Sequence, residues 1–283
     1  MSQLIKFTTE TPSDIPQEYL DKFDISVVPL HVNHDGKDYK DGELTNQYIY
    51  DTFREKKILP STSAVAVGEY QDFFRPFLAE GKTIIHVAMS SGISSTYQNA
   101  CIAAEDLEED GKVYVIDSKK LSLATAVLVF KGAEMAENGM AAEDIVAALE
   151  DMVPKVDNTF IITSLEFLRH GGRCSAMEAF GANLLKLKPM INMVDGSMEV
   201  EKKYRGQDLN VYLQYIEERL DGVDYDDEYV LFGNVLLDDA QKKEVIRKLK
   251  KDYDFKNIVY NDLGTVIMSH GGKGAMGVWF IRK

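Results

Sequence analysis

The stretch Thr83 to Ala104, TIIHVAMSSGISSTYQNACIAA, restricts the fold more than any other part of the chain. Thr83 to Met89 is a short apolar run rich in β-branched residues, Ser90 to Ser95 is small and polar, and Tyr97, Ala100, Cys101 and Ala104 recur at helical spacing. The order is strand, loop, helix. Ser95, with Gln98 three residues on, has the form of a capping box that would open the helix. A strand ending in a serine-rich turn at a helix N-terminus offers hydroxyls and free backbone N–H groups, backed by the positive end of the helix dipole. Such a place suits an anion.

Related units flank this one. Leu4 to Thr8 reads as a first strand, and the polar turn Thr9 to Pro16 can start a helix near Pro16. Ile25 to Val32 reads as a second strand, His34 to Lys37 as a turn, and Thr45 as the opening of a helix with Ile49 and Phe53 inward. Leu59 to Ser63 is a hydroxyl-rich loop. A helix from Gly68 places Tyr70, Phe73, Phe74 and Phe77 inside, with Pro76 kinking or ending it. Val113 to Asp117 is another strand, Leu121 to Asn138 a long helix closed by Gly139, and Ala142 to Met152 one more helix. Strands alternating with helices predict a parallel sheet covered on both faces, with ligands beyond the strand C-termini, at the loops after Thr8, Met89 and Asp117.

From Thr159 the rhythm changes to a strand, a short helix, His170-Gly171-Gly172-Arg173, and a helix from about Met177 to Leu187. Asp195-Gly196 signals a hairpin. Helices over Asp208 to Leu220 and Ala240 to Asp252, a strand over Tyr229 to Asn234, and strands near Ile258, Val266 and Val278 complete an α+β half with a mainly antiparallel sheet. The expected organisation is an α/β domain over residues 1–156, with a parallel three-layer sheet, and an α+β domain over residues 157–283, divided near Val156.

With 45% hydrophobic residues in 283, the chain can bury real cores. Its formal net charge of −14 repels nucleic acid and anionic membrane surfaces, so neither is an expected partner. Apolar runs such as Ala124 to Phe130 are too short for stable membrane insertion. Cys101 and Cys174 stand in no CxxC pattern, which argues against a disulfide framework or zinc site. The opening MSQLIKFTTE lacks the regions of a signal peptide, so the expected location is cytoplasmic. His31, His34 and His170 show no ligand spacing, and no metal is expected.

Ser94, Asp117 and His270 follow the chain order of a serine hydrolase, but Gly92-Ile93-Ser94-Ser95-Thr96 has Thr where a nucleophile elbow needs its second glycine. Gly272 to Gly277 matches GxGxxG, yet the chain stops six residues later, short of the acidic partner that a dinucleotide fold requires. The better reading is a flexible turn that lets backbone approach a ligand beside His270. His270, expected between an apolar strand and that turn, projects from an element end, so Thr62, Ser94 and His270 can converge on one carboxylate as three donors. His86 reads as a packed core residue. Phe73, Phe74, Phe77, Phe180, Leu184, Leu185, Leu187, Met190 and Met193 suit either two cores or the lining of an apolar tunnel, which need the same side chains. Lys186, Lys188, Lys202, Lys203 and Arg205 form a basic cluster, either a solvated face or a docking patch for a partner.

These residues carry a family likeness along essentially the whole chain. Thr9 to Pro16 (TETPSDIP) resembles the TDSTADLP of the DegV family of bacterial fatty-acid-binding proteins. Ser90 to Ala100 (SSGISSTYQNA) resembles its SSGLSGTYQSA, His170 to Arg173 its KGGR, Leu184 to Pro189 its LLxIKP, and Ser269 to Ala275 its HxGPGA. The resemblance implies a two-domain carrier that holds a long-chain fatty acid between its domains. It would be the binding subunit of a fatty-acid kinase whose separate ATP-dependent subunit phosphorylates the presented carboxylate. It implies no catalytic residue and no cofactor beyond the fatty acid. By motif position Thr62, Ser94 and His270 would bind the carboxylate, with Ser63, Ser95, Gly271 and Lys273 in support, and Arg205 would contact the kinase. The sequence departs from the family pattern at Ala64 to Val67, usually Gln-Pro-Ser-Pro, at Ser95 (Gly), Lys273 (Pro), Glu10 (Asp) and Thr11 (Ser). The competing readings are an esterase or acyltransferase using Ser94 and His270, and a lipid-sensing regulatory module.

Overall fold

The computed structural model describes residues 4–174 and 187–283. The helix expected from Met177, with Phe180, Leu184, Leu185 and Lys186, lies outside them. The chain starts with β1 (Ile5–Glu10), a single 3-10 turn (Thr11–Ser13) and α1 (Gln17–Lys22). It continues through β2 (Ser26–Val28), β3 (His31–His34), β4 (Lys37–Lys40), α2 (Asn46–Lys56), β5 (Ser61–Ser63) and α3 (Val67–Ala79). Then come β6 (Thr83–Ala88), α4 (Thr96–Asp106), β7 (Val113–Asp117), α5 (Leu123–Glu137) and α6 (Ala142–Met152). Strands β2, β1, β6 and β7 form a parallel sheet in that order.

Every residue of β6 is buried, because helices cover both faces. The period-2 alternation assigns them: Ile85 and Val87 pack with α5 and α6, whereas Ile84 packs with Tyr70 and Phe74 of α3 and Ala100 and Ala103 of α4. Helix α5 is buried at every position from Leu123 to Phe130, since it packs against β1 and β6 and also against strands of the second sheet.

That second sheet is built from the rest of the chain: β8 (Val156–Asp157), β9 (Thr159–Ile161), α7 (Leu165–Gly171), β10 (Lys188–Val194), β11 (Ser197–Tyr204), α8 (Asp208–Leu220), β12 (Tyr229–Asn234), α9 (Asp239–Asp252), β13 (Asn257–Asp262), α10 (Thr265–Gly271) and β14 (Met276–Ile281). The order β11-β10-β9-β14-β12-β13, with β8 beside β14, gives a seven-stranded sheet with antiparallel ladders and one parallel pair, β12 with β13. The β10–β11 turn has φ 48° at Asp195 and 85° at Gly196, the left-handed pair that Asp-Gly favours. One apolar cluster runs across both sheets, from Phe7 and Ile85 to Phe160, Leu231 and Trp279.

The structure corrects four expectations. The strand expected over Ile25 to Val32 is two strands: β2 joins the parallel sheet, and β3 leaves it after Pro29 to form a small antiparallel sheet, β4-β3-β5. Proline supplies no N–H to a continuing ladder. The hydroxyl-rich loop before Ser63 is strand β5, paired with β3 so that Thr62 faces Val32. Ser95 makes no capping hydrogen bond; instead Thr96 N donates to Ser94 Oγ at 3.3 Å. The strand expected near Val266 is helix α10. Its first turn is capped by Asp41, whose Oδ1 accepts from Thr265 N (3.0 Å), Thr265 Oγ1 (2.5 Å) and Val266 N (3.4 Å). A distant cap here overrides the local β-preference of the Thr-Val-Ile run.

Candidate functional site: an apolar cavity with a polar end

Helix α10 packs against α7, α2, β3 and β5. This arrangement brings residues from both ends of the chain around one cavity with an empty volume of about 930 Å³, part of it open to solvent. Met89, Ile93, Leu121, Phe160, Ile162, Leu168, Met198, Val266, Ile267 and Trp279 supply apolar walls. Thr62, Ser63, Ser94, Ser95, Arg173 and His270 supply the polar ones.

His270 sits in the last turn of α10 with its Nε2 2.8 Å from Thr62 Oγ1. Its Nδ1 is buried without a partner and faces Gly171, where a Cβ would come within 2.2 Å of it. The first glycine of His170-Gly171-Gly172-Arg173 thus makes room for the ring. Burial, aided by the nearby charges of Arg173 and His170, pushes His270 down to about 4, so the imidazole is neutral at pH 7.

Ser94 lies on the loop from β6 to α4. Its Oγ accepts from Thr96 N, which leaves its proton to donate. The loop is held on several sides: Ser90 Oγ donates to Gly196 O (2.7 Å), Ser91 Oγ to Asp117 Oδ2 (2.6 Å), and Met89 N to Glu10 Oε2 (2.8 Å). Arg173 bridges two walls, with Nη1 on Gly171 O (2.7 Å) and Nε on Ile93 O (3.5 Å). In the sequence Arg173 stands out only as the last residue of the His170-Gly171-Gly172-Arg173 motif. The available signal was a cation directly after a Gly-Gly pair that ends a helix.

Of the sequence-predicted site residues, Thr62, Ser63, Ser94, Ser95, His270 and Gly271 all line the cavity. Lys273 does not: its carbonyl accepts from Thr163 Oγ1 at 2.8 Å, and its ammonium lies over the Tyr50 ring at 4.9 Å. Arg205 is exposed just beyond β11, outside the cavity wall. Two lysines of the basic cluster are paired within the chain, Lys188 with Asp208 (2.9 Å) and Lys202 with Glu218 (2.7 Å). Phe73, Phe74 and Phe77 pack around β6, Met190 and Met193 lie in the cores, and none of them lines the cavity. His86 is fully buried, with Nδ1 2.9 Å from Thr8 Oγ1 and Nε2 3.3 Å from Glu10 Oε1.

The hydrolase constellation is not assembled. Asp117 accepts from Ser91 and from Lys119 N, while the Nε2 of His270 faces Thr62. The GxGxxG run leads from helix α10 into strand β14, the reverse of the dinucleotide order, with φ of 67° at Gly272 and 85° at Gly274. Among the described residues, no group of three or more His, Cys, Asp or Glu could hold a metal ion. Among them, too, no helix is long and apolar enough to cross a membrane.

The fold and site together define a mixed α/β protein with a parallel sheet, a mixed sheet, and an apolar cavity with hydroxyls, a neutral histidine and an arginine in its wall. The chain belongs to the DegV family: the family model, described as "Uncharacterised protein, DegV family", matches residues 4–283. Similar relatives include a DegV domain-containing protein of Clostridium acetobutylicum, 34% identical over 284 residues, and one of Caldanaerobacter subterraneus, 31% identical over 283 residues, each alignment covering 99% of both chains. Similar solved structures include a fatty acid-binding DegV family protein from Thermus thermophilus, with TM-score 0.87, 28% identity, and coverage of 99% of this chain and 100% of that one. A stearic acid-binding protein from Eubacterium ventriosum gives TM-score 0.82, 28% identity and 99% coverage of each chain. DegV of Bacillus subtilis, a fatty acid-binding protein, gives TM-score 0.84, 26% identity and full coverage of both.

Proposed function

We propose that this chain binds a long-chain fatty acid in the cavity, with its carboxylate held by Thr62, Ser94 and His270 and drawn by Arg173. The observation that carries this reading is the Thr62–His270 contact in the wall of an otherwise apolar cavity that Ser94 and Arg173 also line. A division of the chain near Val156 would make the site inter-domain, with the hydroxyls on one side and His270 on the other. The fatty-acid ligands of the solved relatives support the same reading.

Magnitudes separate the roles of tail and head. Burying a methylene is worth about 0.8 kcal/mol, so a chain of roughly 14 contributes on the order of 10 kcal/mol before the cost of association. Each hydrogen bond to a charged carboxylate adds about 1.5 to 3 kcal/mol. The tail sets affinity, and the head sets register. In the further step of this reading, the carboxylate is presented to a separate ATP-dependent kinase in the cytoplasm, which forms the acyl phosphate. That step rests on the family likeness and on the exposed position of Arg205.

Mass spectrometry of solvent extracts from freshly purified protein should find a fatty acid. Thr62→Ala and Ser94→Ala, each removing a head-group donor, should lower lipid retention about tenfold or more; unchanged lipid content in both would reject the assigned roles. Arg205→Ala should spare lipid content and reduce turnover with a cognate kinase, and loss of lipid with normal coupling would contradict that division. A fluorophosphonate probe tests the enzyme reading, which covalent labelling of Ser94 would support.

A further inference from the structure

A second cleft, which shares no lining residue with the fatty-acid cavity, lies where the loop after β7, the β8–β9 junction and the β10–β11 turn meet. Its empty volume is about 1440 Å³, part of it open to solvent. Two buried donor atoms and one lysine ammonium line it without a protein acceptor. Lys120 is only 7% exposed, and its ammonium makes no hydrogen bond or ion pair among the described residues. Asn158 Nδ2 is buried without a partner, although its Oδ1 is fixed by Trp279 Nε1 at 3.0 Å. Arg219 Nε is likewise unpartnered, while its Nη1 reaches Glu201 and its Nη2 reaches Asp157.

The carboxylates nearby do not answer these donors. Asp157 is taken by Arg219, by Arg282 (Nη2 at 2.6 Å, Nε at 3.1 Å) and by Thr159 Oγ1. Asp117 is taken by Ser91 and Lys119 N, and Glu150 and Asp195 are exposed. A buried donor left without an acceptor destabilises the fold unless a ligand or water answers it. A ligand that supplied oxygens would answer the Lys120 ammonium and offer acceptors beside Asn158 and Arg219.

We propose that this cleft binds a phosphate-class oxyanion through Lys120, Asn158 and Arg219. The donors arrive from three separate segments, which suits an anion with oxygens pointing in several directions better than a planar carboxylate. Burial also depresses the Lys120 ammonium, with the charges of Asp157 and Asp195 opposing the shift. The cleft is larger than free phosphate needs, so a phosphoryl group on a larger body fits the same chemistry. The proposal does not rest on the fatty-acid reading.

Isothermal titration of the full chain with inorganic phosphate, and with phenyl phosphate as a probe of a phosphoryl group on a larger body, tests it. Saturable binding is expected, and Lys120→Met should weaken it about tenfold or more. Asn158→Asp, which keeps the acceptor for Trp279 and replaces the free donor with a charged oxygen, should weaken it as well. Lipid content should be unchanged in Lys120→Met, because Lys120 does not line the cavity. Tighter binding of phenyl phosphate than of inorganic phosphate would assign the site to a larger phosphorylated molecule, and the reverse to free phosphate. Absence of saturable binding to the unmodified chain, or equal affinity in both variants, would overturn the proposal.

Discussion

Gly171→Ala should destabilise the protein by about 1 to 3 kcal/mol and, on the proposed function, lower the lipid it retains, although alanine is the better helix former by about 1 kcal/mol. The added methyl would lie 2.2 Å from His270 Nδ1 and within 3.2 Å of two more ring atoms. The ring has no free retreat, because Thr62 Oγ1 sits 2.8 Å from Nε2 on its other edge. Moving it breaks that contact and withdraws one donor from the head-group end. Denaturant unfolding and extracted lipid should both report the change, and His270→Ala in the same chain should restore part of the lost stability. A Gly171→Ala protein as stable as the parent and still loaded with lipid would show that the glycine is not what seats the histidine.

The second large effect is on the pH dependence of stability. Asp14 is buried with left-handed backbone (φ 53°); its Oδ1 accepts from Gly264 N (2.7 Å), and Ser122 Oγ lies 2.5 Å from its Oδ2. Burial raises its carboxyl from 3.8 to about 8, with Asp41 adding to the rise and the bonds to Ser122 and Gly264 opposing it. The folded chain therefore holds a proton that the unfolded chain releases. This contribution is whole below pH 3.8 and is lost as pH rises through about 8. His270 acts in the opposite sense: its folded value of about 4 lies below 6.5, so its contribution is whole above pH 6.5 and is lost as pH falls toward 4.

The two slopes oppose each other between pH 4 and 6.5, and of this pair only Asp14 acts from 6.5 to 8. Over that upper window Asp14 should remove about 2 kcal/mol, at about 1.36 kcal/mol per pH unit. Asp14→Asn keeps an acceptor for Gly264 and tolerates the left-handed backbone, so it should flatten stability over this window. Urea unfolding at pH 6.5 and pH 8 would test this, and an identical loss in parent and variant would rule Asp14 out as its source. The same clamp matters for the site, since Asp14 and Asp41 together hold the start of the helix whose last turn carries His270.

Much of the fold was legible because its signals are local. The apolar run of β6, the helical spacing of α4 and the Asp195-Gly196 turn each express a preference within a few residues. The cavity hydroxyls were legible as chemistry, since Ser94 and Thr62 stand in polar stretches between apolar ones. Helix α10 was not legible, because its Thr-Val-Ile start favours a strand until a carboxylate 224 residues away caps it. Strand β5 was hidden because Ser61-Thr62-Ser63 has loop composition and becomes a strand only beside β3. Lys273, three residues from His270 in sequence, points to Tyr50.

The amino-acid sequence by itself determined where the main strands and helices run and which residue types could meet a carboxylate. Tertiary structure decided which of them share a cavity. Thr62 and His270 stand 208 residues apart, and their 2.8 Å contact exists because β5 pairs with β3, Asp41 and Asp14 fix the start of α10, and Gly171 leaves space for the ring. Each of those is a packing or capping interaction between distant segments, with energy that appears only once the chain has folded.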